Sequence, residues 1–74
     1  MRFWLNIDHS TMIAKLHKET CIYCKPYDQH SKPINDTNSN GGWFMFESAQ
    51  KAIQFYKDQK IDHYWQPCKI CKPE

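Results

Sequence analysis

The chain lacks any long apolar run. It has no stretch of about 18 apolar residues that could span a bilayer, and its first residues, MRFWLNIDHS, contain no apolar run of the length that a secretory signal peptide needs. We therefore expect a soluble, cytoplasmic protein that makes no use of a membrane.

Glycine and the common catalytic motifs are equally scarce. The sequence has 2 glycines, and it contains no phosphate-binding glycine loop, no His-Glu-x2-His helix and no Gly-x-Ser-x-Gly elbow. Its acidic residues are scattered, and no spacing brings two of them together as acid and base. We assign no catalytic residue and no small-molecule substrate, and an enzyme is the less favoured class.

The chain is also short of the material for a large core. Its 74 residues, 41% apolar and 15% aromatic, predict one globular domain over residues 1–74. A domain of this size buries little apolar surface and commonly needs a disulfide, a metal or a partner to be stable. We expect such a stabilising element here.

What the chain does have is a repeated cysteine pattern. Cys21 and Cys24 form one Cys-x2-Cys-Lys-Pro segment, and Cys68 and Cys71 form another. Each such turn directs two sulfurs at one ion, and two turns complete a tetrahedral zinc shell. In a reducing compartment this pattern favours metal binding over disulfides. We predict one zinc ion bound by residues from both parts of the chain.

A fifth residue competes for that shell. His17 precedes Cys21 by four positions, so the ligands are either the four cysteines or a set in which His17 replaces Cys21 or Cys24. We favour the four cysteines, because four thiolates close a structural site without help. They would also place the net charge of +2 close to neutral, which weakens a case for nucleic-acid binding.

The apolar pattern predicts the order of elements. Alternation indicates a hairpin of strands over residues 2–8 and 12–17, and a further strand over residues 43–46. Ser48 is predicted to cap a helix, and DHYWQP can form a brief last strand. The predicted fold is a small α+β zinc-binding domain with a three-stranded antiparallel sheet, optionally a short fourth strand, and one helix.

Two further predictions concern the helix and the long connection before the third strand. Residues 27–42 are polar, lack an apolar period and are predicted to be a mobile loop. The helix should present one apolar stripe. That stripe is formed by Ala49, Ala52, Ile53 and Tyr56.

The aromatic residues suggest a binding role. If Phe3 and Leu5 face inward, strand alternation turns Trp4 outward, and Trp43 is a second candidate for an exposed ring. Exposed rings can anchor a protein or stack on bases. We predict a small structural zinc-binding module that acts as a macromolecular interaction domain through Trp4 and Trp43, with a protein partner slightly favoured over nucleic acid.

The segments HKETCIYC, GGWFMFES and CKICKP also carry a resemblance to known proteins. Together they resemble small prokaryotic zinc-binding domains of unassigned function and, more distantly, the metal-binding segment of Ada-type DNA alkylation-repair proteins. The resemblance to Ada-type proteins implies His17, Cys21, Cys68 and Cys71 as zinc ligands, with Cys24 left over. It implies, as an alternative function, an Ada-like DNA-binding or zinc-thiolate alkyl-acceptor domain, although His17 stands at the position of the alkyl-accepting thiolate.

Overall fold

Within the part of the chain that the structure describes, the domain has one helix and four strands. The computed structural model describes residues 2–24 and 33–73. In chain order the elements are the strands β1 (Phe3–Asp8), β2 (Ile13–Lys18) and β3 (Gly41–Phe46), the helix α1 (Ala49–Gln59) and the strand β4 (Tyr64–Trp65). The predicted small α+β fold with one helix is confirmed.

The four strands form one sheet in the order β3-β1-β2-β4. β1 pairs antiparallel with both of its neighbours, so that Leu5 lies opposite Leu16 on one side and Phe44 on the other. β4 pairs with β2 in the parallel direction, with Ala14 opposite Trp65. The antiparallel three-stranded sheet and the short fourth strand agree with the sequence prediction. The parallel direction of β4 becomes evident only in the structure.

The helix covers one face of this sheet. Strand alternation places Leu5, Ile7, Ala14 and Leu16 on that face, where they form a buried cluster with Ala52 of the helix. Burying a large aliphatic side chain contributes about 1.5–3 kcal/mol, so this cluster is real but small. The opposite face carries the residues that alternate with these, including His17.

Ser48 begins the helix as its sequence predicts. The Ser48 hydroxyl accepts a hydrogen bond from the Lys51 N–H, and Lys60 ends the helix in a left-handed conformation with φ of 50°. The contact stripe differs from the prediction in one residue: Phe55 packs against the core, and Ile53 is not among the core-packing residues. The Phe55 ring lies 4.7 Å from that of Phe44, centroid to centroid.

Of the predicted mobile loop over residues 27–42, residues 27–32 lie outside the part of the chain that the structure describes. The described residues before β3 run along its outer edge, where the Trp43 N–H donates to the Pro33 carbonyl over 3.0 Å. Gly41, with φ of 123°, closes this loop onto β1: a Cβ atom there would lie 1.8 Å from the Ile7 carbonyl oxygen. Among the described residues, α1 is too short and too polar to cross a membrane.

Candidate metal centre

Three thiols and one imidazole converge at one end of the sheet. The ligand atoms of His17, Cys21, Cys68 and Cys71 all lie within 4.8 Å of one another, and the first three residues are buried. The Sγ atoms of Cys21 and Cys68 are 3.8 Å apart. Side chains that are distant in the sequence therefore form one compact group, here called the metal group.

The sheet explains how this group forms. His17 lies near the end of β2, and the chain turns at once, because the Cys21 N–H donates to the Lys18 carbonyl over 3.0 Å. From the other side, the parallel pairing of β4 with β2 continues past the strand, since the Cys68 N–H donates to the Leu16 carbonyl over 2.9 Å. Cys68 is thereby fixed beside His17, which accounts for the long separation of the two cysteine pairs.

Backbone amides point at two of the sulfurs. Burial acts to raise the pKa of Cys68, but the N–H groups of Cys71 and Ile70 donate to its sulfur and lower that pKa below the usual value. The Cys71 sulfur accepts the Lys18 N–H over 3.4 Å, yet burial still raises the pKa of Cys71 to about 11. Without a cation Cys71 stays protonated at neutral pH, whereas a bound metal stabilises the thiolate.

His17 is prepared to act as a neutral ligand. Burial, and to a lesser extent the charge of Lys15, lowers the pKa of His17 to about 4. Its ring stacks on that of Trp43, with centroids 5.9 Å apart and planes inclined by 29°. The buried Nδ1 atom of His17 has no hydrogen-bond partner in the described part of the chain. A buried imidazole with an unsatisfied nitrogen beside three thiols has the chemistry of a metal site.

The spacing of the sulfurs supports the same interpretation. Two sulfurs bound to one zinc ion at about 2.3 Å in tetrahedral geometry lie roughly 3.8 Å apart, whereas a disulfide requires about 2.05 Å. The Cys21–Cys68 separation of 3.8 Å matches the first value, and all four cysteines are unpaired. The group can hold a metal ion with one nitrogen and three sulfur ligands.

Cys24 lies near this group without belonging to it. It is partly buried, and its N–H donates to the Cys21 carbonyl over 3.0 Å. Burial first, and then the neighbouring Cys21 and Cys71, raise the pKa of Cys24 to about 12. Of the three ligand sets that the sequence leaves open, the structure brings together the one in which His17 takes the place of Cys24, and not the favoured set of four cysteines.

Trp4 and Trp43 are not exposed rings, so the expectation that they face solvent is wrong. Trp4 is 5% exposed and Trp43 is 1% exposed. Alternation correctly assigned Trp4 to the face opposite the helix, but that face is itself packed: Trp4 lies opposite His17 in the strand register, and Trp43 stacks on the same imidazole. The alternation of residues along a strand shows which face of the sheet a side chain is on, but it does not show whether other residues pack over that face.

Three of the exposed apolar residues lie in the cysteine turns, and the others, Met12, Ile34 and Tyr64, lie elsewhere in the described part of the chain. Ile22 and Tyr23 occupy the first spacer and Ile70 the second, and they are 68%, 57% and 66% exposed. The sequence carried a signal for this, because a turn that points its two sulfurs at an ion directs the spacer side chains away from it. We call these three residues the turn surface.

Comparison with known proteins adds no relative. No family model, curated protein or solved structure matches the chain. The resemblance to Ada-type proteins therefore stays an expectation from sequence.

Proposed function

We propose that the chain is a small structural zinc-binding module that acts as an interaction domain for another macromolecule, a protein in preference to nucleic acid. The observation that carries the metal part is the convergence of His17, Cys21, Cys68 and Cys71 within 4.8 Å. Three thiolates and one imidazole are a common structural zinc set, and soft sulfur ligands favour zinc over magnesium or calcium.

The number of ligands favours a structural role over a catalytic one. A catalytic zinc usually keeps three protein ligands and one open position for water or substrate. Here four side chains have their ligand atoms within 4.8 Å of one another, and His17, Cys21 and Cys68 among them are buried. A bound ion would have a full tetrahedral shell, which suits holding two parts of the chain together.

The energetics point the same way. Zinc binding contributes on the order of 10–16 kcal/mol in small zinc peptides, and the total stability of a domain is roughly 5–15 kcal/mol. The buried apolar cluster on the helix side comprises five residues, two of them alanines. The metal is therefore proposed as the largest single contribution to the folded state.

The state of the cysteines bears on the compartment. All four are unpaired, and the spacing within the metal group suits ligation better than disulfide formation. Thiols persist in this form in a reducing compartment, which supports a cytoplasmic location.

The proposed interaction role is supported by the exposed apolar side chains of the turn surface. With Trp4 and Trp43 buried, the accessible apolar side chains nearest the metal group are those of the turn surface. Large exposed apolar groups that cluster on a small domain commonly mark a contact with a partner. The proposed partner therefore meets the module at its metal end.

Native mass spectrometry of the purified chain and three variants tests the metal proposal. We expect one zinc ion per wild-type chain, loss of zinc from Cys68→Ser, and weakened zinc retention against a chelator in His17→Ala. Cys24→Ser is the matched control, because Cys24 lies outside the metal group. Zinc retained by His17→Ala as by wild type, but lost from Cys24→Ser, would show that the ligand set is wrong.

A further inference from the structure

A cavity of about 510 Å³ opens directly beside the metal group. Its volume lies within the range of roughly 300–1,000 Å³ that is usual for ligand pockets. Two members of the metal group contribute to its wall, so the ion and the cavity would share side chains. The cavity is lined by Lys15, His17, Tyr23, Gln66, Pro67, Cys68, Lys69 and Ile70.

The two cysteine turns supply the apolar part of this cavity. Tyr23 comes from the first turn and Ile70 from the second, and both are more than half exposed. Pro67 adds a third apolar side chain from the segment that leads into the second turn. An apolar side chain seated between the two turns would remove these surfaces from water.

The charged part of the cavity has one sign. Lys15 and Lys69 line it, and among the described lining residues there is no aspartate or glutamate. Lys15 comes from β2 and Lys69 from the second cysteine turn, so positive charge is supplied from two elements. A ligand that complements this cavity combines an apolar group with negative charge.

We propose that the cavity and the turn surface bind an acidic peptide segment of a partner protein, one that carries a bulky aliphatic or aromatic side chain. The bulky side chain enters between Tyr23 and Ile70, and flanking carboxylates contact Lys15 and Lys69. The proposal rests on the proposed metal site, since the ion would hold the two turns at a fixed separation. It specifies where the interaction domain makes its contact and with what chemistry.

The same features argue against a nucleic acid as occupant. Binding of single strands relies on aromatic rings for successive bases and on a track of positive charge for the phosphates. Tyr23 is the one aromatic ring among the described lining residues, apart from the imidazole of His17, and the other exposed side chains of the turn surface are isoleucines. Isoleucine offers no π face to a base, whereas it packs well against an aliphatic or aromatic side chain of a peptide.

Selection from a random dodecapeptide phage library on the immobilised, zinc-loaded chain tests this. We expect enriched sequences that place aspartate or glutamate beside a bulky apolar residue. Synthetic peptides of those sequences should bind in fluorescence anisotropy, and Ile70→Ser and Lys69→Glu should each weaken binding about tenfold. Added salt should weaken binding only moderately, because few charges are involved.

Matched controls lie at the opposite end of β2 and on the helix. Met12→Asn removes an exposed apolar side chain that does not line the cavity, at a position whose φ of 58° suits asparagine. Lys57→Glu reverses an exposed charge in the last turn of α1. Both variants should bind the peptides as wild type does.

Three outcomes with the wild-type chain would overturn the proposal: no enriched sequence, enriched sequences without acidic residues, or an oligothymidylate that binds more tightly than the peptides and displaces them. Unchanged binding by Ile70→Ser with zinc retained would do the same. Zinc content measured on each sample separates the two proposals. A chain that holds zinc and selects no acidic peptide contradicts only the peptide site, whereas a folded chain without zinc contradicts the metal module.

Discussion

The two faces of the sheet are stabilised by different kinds of interaction. On the helix side, apolar residues such as Leu5 and Leu16 pack against Ala52, and their burial requires nothing from outside the chain. On the other side, His17 stacks on Trp43 and is the one imidazole of the metal group. Its buried Nδ1 atom has no hydrogen-bond partner among the described residues. One face is complete by itself, whereas the other has a His/Cys cluster that could hold a metal ion.

This difference shows that a small domain can be stabilised partly by apolar burial and partly by metal binding. Apolar alternation is sufficient to build the helix-side core, but that core is small. The metal group brings together residues from the end of β2, from the turn after it and from the segment after β4. Changes on the two faces should therefore differ in size and in their dependence on zinc.

The largest expected effect is that of removing the metal. A chelator should unfold the domain, because roughly 10–16 kcal/mol of zinc binding exceeds or equals the whole stability of a typical domain. Near-ultraviolet circular dichroism and tryptophan fluorescence report this through the buried Trp4 and Trp43. Readdition of zinc should restore both signals. Retention of both signals after complete zinc removal would remove the proposed difference between the faces.

The next effect belongs to the helix-side core. Leu16→Ala should lower the free energy of unfolding by about 2–5 kcal/mol, because Leu16 is fully buried and its truncation leaves a cavity. Urea denaturation at saturating zinc measures this loss. Ile22→Ala, on the exposed turn surface, should change stability by less than about 0.5 kcal/mol. Equal losses for the two variants would contradict the assigned packing.

A smaller effect is expected at the start of the helix. Ser48→Ala removes the hydroxyl that accepts the Lys51 N–H over 3.2 Å, and should cost about 1 kcal/mol. Ser39→Ala, in an exposed turn, is the matched control and should be close to neutral. Both are measured by urea denaturation at saturating zinc. A neutral Ser48→Ala would show that packing of Phe55 alone fixes the helix.

The smallest effect concerns pH at the end of the sheet away from the metal group. His9 Nδ1 and His63 Nε2 are 2.8 Å apart, a hydrogen bond that requires at least one neutral ring. Burial, and then the neighbouring His9, lowers the pKa of His63 below its usual value, although Asp62 and Asp8 oppose this. Because the folded-state pKa is the lower one, this contribution is present above about pH 6.5 and is lost as the pH falls below it.

An NMR titration of the His63 ring at saturating zinc checks this. We expect a pKa below about 6.5 in the wild-type chain and a higher value in His9→Gln, since one of its causes has been removed. The hydrogen bond itself is worth about 0.5–1.5 kcal/mol, so His9→Gln should lower stability by at most this amount. An unperturbed His63 in both proteins would contradict the close pairing of the two rings.

Much of the helix-side face follows from the sequence. Period-two alternation assigns Leu5 and Leu16 each to one face of its strand, and a serine before an apolar stripe indicates where the helix starts. These features are local, so a few neighbouring residues determine them. The metal face depends on contacts between distant parts of the chain: the parallel pairing of β4, the choice of His17 over Cys24 in the group, and the burial of Trp4. Local pattern cannot specify any of these three.

X-ray absorption at the zinc edge of the loaded chain identifies the ligands of the ion. We expect about one nitrogen ligand at 2.0–2.1 Å and three sulfur ligands at 2.3 Å, the distances usual for imidazole and thiolate zinc ligands. Cys24→Ser should leave this spectrum unchanged. A shell of four sulfurs that loses one in Cys24→Ser would show that Cys24, and not His17, is the fourth ligand.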